Sequence, residues 1–190
     1  AQAMARLQYR LAESLLHLGF ADQAERIAKT IQERSQEVAG LENREVLQYM
    51  NLRASCLQSA GEFEQALKLY EQVLENRRRL LGMSHTETLA TINSIGIVLR
   101  SLGKHREAVV QFEQSLALRR ELFGDEDLKT IAAQNNLALT LIDVDQVDRA
   151  ISILEKVIEV RVRDSSKLNP DTRTSMTALA GAYLAKGQFE

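Results

Sequence analysis

The sequence predicts an all-α protein made of stacked helix–turn–helix repeats, and two observations carry that prediction. One is the near absence of helix breakers. Among 190 residues there is one proline, Pro170, and a proline inside a helix costs about 3 kcal/mol. The other is a fixed period of 42 residues, which is typical of repeat architectures. The period is marked by Gly19, Gly61, Gly103, Asp145 and Gly187.

Three further columns keep the same register and define the two helices of each repeat. A small residue stands seven places before each glycine position, a large apolar residue four places before it, and an alanine five places after it. Helical spacing puts the first two on one face of a first helix that ends at the glycine, because glycine readily adopts the left-handed conformation of a helix C-cap. The alanine then lies on the inner face of a second helix. The columns are Ala12, Ala54, Gly96, Ala138 and Ala180; Leu15, Leu57, Leu99, Leu141 and Tyr183; and Ala24, Ala66, Ala108 and Ala150.

The same periodicity sets the order of the helices. No helix pair buries its apolar face alone, so we expect the pairs to stack into a single array over 1–190. The sequence lacks an initial methionine and stops where a second helix should begin, which favours a piece of a longer protein. We expect helices at 3–18, 21–38, 43–59, 62–80, 86–101, 104–122, 127–143, 146–163 and 170–185. The corresponding repeats are 3–42, 43–84, 85–126, 127–168 and a truncated 169–190.

Composition excludes several classes of protein. The chain has 24 basic and 26 acidic residues and a net charge of −2, with a pI near 6.0, whereas nucleic-acid binders usually carry a basic stripe. No apolar run approaches the roughly 18 residues of a membrane span. A single cysteine, Cys56, excludes an internal disulfide and fits a reducing compartment. We therefore expect a cytoplasmic protein without nucleic-acid or membrane partners.

The segments that join the repeats carry a second signature. They read Leu81-Gly82-Met83-Ser84-His85-Thr86-Glu87-Thr88, then Asn93-Ser94-Ile95-Gly96, then Gly103-Lys104-His105-Arg106-Glu107-Ala108; later copies give Phe123-Gly124, Asn135-Asn136-Leu137-Ala138 and Asn169-Pro170-Asp171-Thr172. With the columns, these segments resemble the tetratricopeptide repeat, and the 42-residue length resembles its kinesin-light-chain type. The sequence departs from that type at Thr86, which replaces a proline, and at Asp127-Leu128, which replaces His-Pro. The first inter-repeat loop, around Gly40-Leu41-Glu42-Asn43, lacks the motif.

This resemblance implies a right-handed superhelical solenoid of about four and a half repeats. It also implies a scaffold that binds a peptide or a partner protein in a concave groove lined by the first helix of each repeat. The family points to no catalytic activity and no cofactor.

One asparagine per repeat recurs at the same angular place on the predicted first helices. The row consists of Asn51, Asn93 and Asn135, with Tyr9 and Thr177 at its ends. A carboxamide offers two donors and one acceptor, so such a row suits the backbone of an extended peptide. In the alternative reading, these side chains bridge neighbouring helices. The remaining groove candidates lie about one helical turn around: Arg6, Arg10, Gln48, Ser55, Gln58, Arg100 and Asn136.

Other functional readings are weaker. Arg6 and Arg10 resemble half of the carboxylate clamp by which some of these repeats hold chaperone C-termini, with solvated arginines as the alternative. The arginines that recur at 77, 119 and 161 suit the C-terminal helix dipole. Cys56 is expected at a small packing position, and His85 is expected to cap a helix. The chain lacks paired metal-ligand spacing, and it lacks a nucleophile–base–orienter set.

Three hypotheses of function follow. The chain is a scaffold that binds a peptide or protein, or a regulatory module of a larger signalling protein or enzyme (a kinase, NTPase or protease-like effector), or an array that self-associates through its end faces. The asparagine row favours the first hypothesis.

Overall fold

The computed structural model describes residues 2–164 and 170–187, and within them the chain is entirely helical and loop. The helix boundaries agree with the predicted ones to within one residue. In chain order the helices are α1 (Gln2–His17), α2 (Ala21–Ala39), α3 (Arg44–Ser59), α4 (Phe63–Leu81), α5 (Thr86–Ser101), α6 (His105–Phe123), α7 (Leu128–Asp143), α8 (Val147–Asp164) and α9 (Pro170–Lys186). The predicted loop residue Asn169 and the expected helix start at 188–190 lie outside the described residues.

The chain forms two compact units, residues 1–102 and residues 103–190. In the first unit each helix from α1 to α5 packs on the next, and α1 also contacts α3. In the second unit the same order holds from α6 to α9, and α7 also contacts α9. Consecutive helices therefore stack as antiparallel pairs, and first helices of neighbouring pairs touch where α1 meets α3 and where α7 meets α9. The prediction of an all-α stack of helix pairs is confirmed, and the single array over 1–190 stays a prediction.

The glycine column ends the first helices as expected. Gly19 has φ +86, and Asp145 takes the same left-handed region with φ +63. Around Gly19 the Phe20 N–H donates to the Leu15 carbonyl at 2.9 Å and the Gly19 N–H donates to that of Leu16 at 3.0 Å, which is the Schellman arrangement. The same pair of bonds forms around Asp145. The aspartate therefore replaces glycine without changing the turn.

A second column, spaced by the same period, starts the first helices. The Asn43 side chain accepts from the N–H groups of Glu45 and Val46, and His85 accepts from that of Glu87. Asp127 accepts from two N–H groups in the same way. Each cap satisfies donors that have no partner inside the helix. The cap role expected for His85 is confirmed, and Asn43 holds it in the one loop that lacks the family signature.

The alanine and apolar columns form the core. All four second-helix alanines are fully buried, as are Ala12, Ala54 and Ala138. Ala180 is exposed, because no helix follows α9 in the described part of the chain. Among the described residues, no helix is both long enough and apolar enough to cross a membrane.

Candidate functional site

A groove opens between α1 and α3 in the first unit. Its volume is about 770 Å³. Four of the predicted site residues, from two different repeats, come together here, because α1 and α3 are consecutive first helices. The lining residues are Gln2, Ala3, Arg6, Leu7, Tyr9, Arg10, Glu13, Glu45, Gln48 and Tyr49.

The charges in this groove are only partly paired. Arg6 donates to Glu45 at 2.9 Å, and Gln2 donates to the same carboxylate. The hydrogen bond from Arg6 lowers the pKa of the Glu45 carboxyl. Arg10 is exposed and forms no ion pair with any residue that the structure describes. Arg10 is therefore available to an acidic group of a ligand.

Two tyrosines form the floor of the groove. The ring centroids of Tyr9 and Tyr49 lie 5.7 Å apart with the planes tilted by 49°, a favourable aromatic geometry. Burial is the main cause that raises the pKa of Tyr9, and a hydrogen bond to Glu13 adds to it. Burial also raises the pKa of Tyr49. Both phenols therefore stay protonated at neutral pH, and the floor combines apolar surface with neutral polar groups.

The first asparagine of the row is held by a buried arginine. Asn51 on α3 accepts from Nη1 of Arg77 on α4 at 3.2 Å. The same nitrogen donates to Oγ1 of Thr91 at 2.7 Å and to the main-chain oxygen of Glu87 at 3.0 Å, both on α5. Nη2 of Arg77 lies 3.2 Å from the Glu87 carboxylate. One guanidinium thus joins three helices.

Burial sets the electrostatics of this arginine. The Arg77 side chain is 5% exposed, and burial lowers its pKa, while the Glu87 charge acts in the opposite direction. The Glu87 carboxylate also forms an ion pair with Arg44, in which Nη2 lies 2.5 Å from Oε1. The carboxylate between two guanidinium groups offsets the desolvation cost of Arg77.

The second unit has a similar arrangement, in which a serine stands between the arginine and the asparagine. Arg161 on α8 donates to Oγ of Ser175 at 3.0 Å, and Ser175 donates to Oδ1 of Asn135 on α7 at 2.8 Å. A groove of about 570 Å³ lies between the first helices α7 and α9. Its lining residues are Leu139, Arg173, Thr174, Thr177 and Ala178.

Three overlapping stretches of the chain, residues 3–79, 45–121 and 87–161, match the family model of the tetratricopeptide repeat. The chain belongs to the tetratricopeptide repeat family. None of the curated proteins compared with the sequence matches it.

Solved structures show the same tetratricopeptide fold. Repeats of a kinesin light chain from Podosopora anserina give a TM-score of 0.85 at 25% identity, over 99% of this chain and 89% of that chain. BtubC (BKLC) from P. vanneervenii gives 0.83 at 20% identity, over 97% and 74%. NprR in complex with its cognate peptide NprX gives 0.70 at 20% identity, over 98% of this chain and 52% of that chain. The kinesin-light-chain character predicted for the repeats is confirmed.

Two predicted groove residues of the second tetratricopeptide repeat bind a neighbouring helix. Oγ of Ser55 lies 2.8 Å from the Tyr70 hydroxyl, which donates to Oε1 of Gln58 at 3.2 Å. Tyr70 is buried and its hydroxyl needs partners. The later repeats have Phe112 and Leu154 at the place of Tyr70. The signal that could have placed Ser55 and Gln58 is therefore the single tyrosine in an otherwise apolar column.

The remaining predicted site residues lie on α5 and α7. Asn93 and Arg100 are half-buried on α5, and Asn136 is half-buried on α7. Each of them already has an interaction partner in the structure.

The arginine column is the functional feature that sequence reasoning missed. Its 42-residue spacing is visible in the sequence, where it predicts only a favourable charge at helix ends. The informative signal was the acceptor set around Arg77, formed by Asn51, Glu87 and Thr91. At Arg119 two of these three acceptors are missing, because Lys129 and Ala133 stand where Glu87 and Thr91 would be. Arg119 is buried and donates to Ser115 at 3.2 Å.

The other residues considered for chemistry take structural places. Cys56 is fully buried, and burial raises the pKa of its thiol to about 11. Nδ1 of His105 lies 3.5 Å from the Asp143 carboxylate. Within the described residues, no group of three or more potential ligands is arranged to hold a metal ion.

Proposed function

We propose that this tetratricopeptide array is a protein-interaction module that binds an extended segment of a partner protein on the surface formed by its first helices. One observation carries the proposal. In each compact unit a groove lies between two consecutive first helices, α1 and α3 in one unit and α7 and α9 in the other.

The chemistry of the first groove suits a peptide. Tyrosine rings supply apolar contact area together with hydroxyl groups, and the exposed guanidinium of Arg10 suits an acidic side chain. The pair of Arg6 and Glu45 offers both signs of charge at the rim. Such rim charges govern orientation and partner choice more than affinity. The groove therefore favours a ligand with mixed polar and apolar side chains and one acidic residue.

The comparisons support the proposal at the level of architecture. NprR, whose fold this chain shares, was solved with its cognate peptide NprX. The tetratricopeptide family likewise favours a scaffold over an enzyme.

The test is a selection of 15-residue peptides from a random-sequence display library against the intact chain, followed by fluorescence anisotropy with the tightest peptide. Arg10→Glu should weaken binding about tenfold or more, because it reverses an exposed groove charge that has no ion pair among the described residues. Lys29→Glu on the exposed side of α2 is the matched control, and it should bind as the wild type does.

The outcomes separate the candidate functions. Selection of no peptide, or equal binding by Arg10→Glu and the control, would contradict the peptide groove. Light scattering that rises with protein concentration would instead support self-association.

A further inference from the structure

The carboxamide of Asn51 has a defined orientation. Arginine has only donors, so the group that faces Nη1 of Arg77 must be the amide oxygen. Among the described residues the Asn51 side-chain nitrogen has no hydrogen-bond partner. It is not among the atoms that are buried without a partner, so solvent can reach it. The amide therefore turns its oxygen inward and its NH2 group outward.

Asn135 has the same orientation through a relay. Arg161 donates to Ser175, so the Ser175 hydrogen is directed onward to Oδ1 of Asn135. The nitrogen of Asn135 likewise lacks a partner in the described part of the chain and is not among the sealed unpaired atoms. Two repeats in two different units thus use an arginine of the second helix to fix the same end of the asparagine amide.

The position itself faces the proposed ligand surface. Tyr9 and Thr177 occupy the asparagine position in the first and last repeats, and each lines a groove of its own unit. Asn51 and Asn135 are not among the residues that line these two grooves, and repeat equivalence places them on the same first-helix face.

We infer that Arg77 and Arg161 are positioning residues that make the asparagines pure hydrogen-bond donors, so that this surface recognises carbonyl or carboxylate oxygens of its ligand and not N–H groups. The inference rests on the proposed peptide-binding function and narrows it. In either unit, an extended peptide would meet the asparagine of that unit, Asn51 or Asn135, through a backbone C=O group. The buried positive charge behind Asn51 polarises the amide and strengthens its N–H donors.

Asn51→Asp tests the donor directly. Aspartate has the same shape and still accepts from Arg77, so the fold is retained, but the outward NH2 becomes an acceptor. Affinity for the selected 15-residue peptide should fall about tenfold, the effect of one hydrogen bond and the repulsion that replaces it. Asn43→Asp is the control, because it adds the same charge to the same helix and aspartate caps a helix as well as asparagine does.

Arg77→Lys tests the positioning role. Lysine keeps the charge, but its single ammonium group cannot reproduce the geometry by which Nη1 meets Asn51, Glu87 and Thr91. Peptide affinity should fall severalfold. The control is Arg78→Lys at an exposed residue whose Nη1 lies 4.0 Å from Oε2 of Glu75, and it should leave the affinity unchanged.

A measurement without ligand completes the test. In ¹⁵N-edited NMR spectra the side-chain NH2 signals of Asn51 and Asn135 should exchange rapidly with water in the wild type. Slow exchange would show an inward NH2 and overturn the inference even if no peptide is selected. Wild-type affinity in Asn51→Asp would overturn it while the proposed function stands. Failure to select any peptide would count against the proposed function alone.

Discussion

Replacement of Arg77 by methionine should destabilise the first unit by about 2–3 kcal/mol. The substitution removes three hydrogen bonds of Nη1, at 2.7, 3.0 and 3.2 Å, and the ion pair of Nη2 with Glu87. Breaking a buried pair by removing one partner costs about 3–5 kcal/mol.

Two features bring the expected cost below this range. Glu87 keeps Arg44, and Thr91 keeps its hydrogen bond to the Glu87 main-chain oxygen at 2.9 Å. Methionine also fills the space of the buried aliphatic stem, and it removes Nε of Arg77, which is buried without a partner.

Urea unfolding followed by circular dichroism at 222 nm measures the loss. Because repeat arrays unfold through nearest-neighbour terms, the curves of wild type and variant should be fitted together with that description. Arg78→Met is the control and should stay within about 0.5 kcal/mol of the wild type, as exposed ion pairs contribute little. A loss below about 1 kcal/mol for Arg77→Met, or an equal loss for the control, would refute the assigned role of the buried guanidinium.

Three further predictions concern stability and reactivity. Tyr70→Phe should cost about 1 kcal/mol in the same assay, because it removes the hydroxyl that bonds to α3; an unchanged midpoint would contradict the hydrogen bonds described. Gly61→Ala should destabilise by about 1–2 kcal/mol because φ is +84, whereas Gly181→Ala should stabilise by about 0.5–1 kcal/mol, since its Cβ would meet open space inside α9. The Cys56 thiol should react with Ellman's reagent at pH 8 at least a hundredfold faster in urea than in the native chain. Equal reaction rates in urea and in the native chain would count against burial. Burial raises the pKa of the thiol from 9.0 to about 11. The contribution of this group to the free energy of unfolding is therefore full below about pH 9 and is lost as the pH rises towards 11.

The fold followed from the sequence because its determinants are local. A glycine or Asp145 at the end of each first helix, and alanine where two helices approach, act through backbone conformation and size, and both repeat every 42 residues. The sequence does not predict the cap at Asn43, because its loop lacks the family signature while its side chain performs the same hydrogen bonding.

The candidate site followed only in part, because side-chain direction depends on tertiary partners. Periodicity placed Arg6, Arg10 and Gln48 on first helices, and the structure brings them into one groove with Tyr9. It also gives the angular place of Asn51 on α3, but the partner of Asn51 is 26 residues away in sequence and on another helix. The choice between gripping a ligand and bridging helices was therefore open, and in the structure the oxygen of the amide bridges helices while the nitrogen is left outward.

The hydrogen bonds of Arg77 to α3 and α5 also limit how the repeats can be exchanged. If residues 85–126 were excised, Arg77 would meet Lys129 and Ala133 in place of Glu87 and Thr91. A buried guanidinium would then face a like charge and a methyl group. Repeats of equal length in this chain are consequently not interchangeable parts, and excision of residues 85–126 requires compensating changes in the helix that follows.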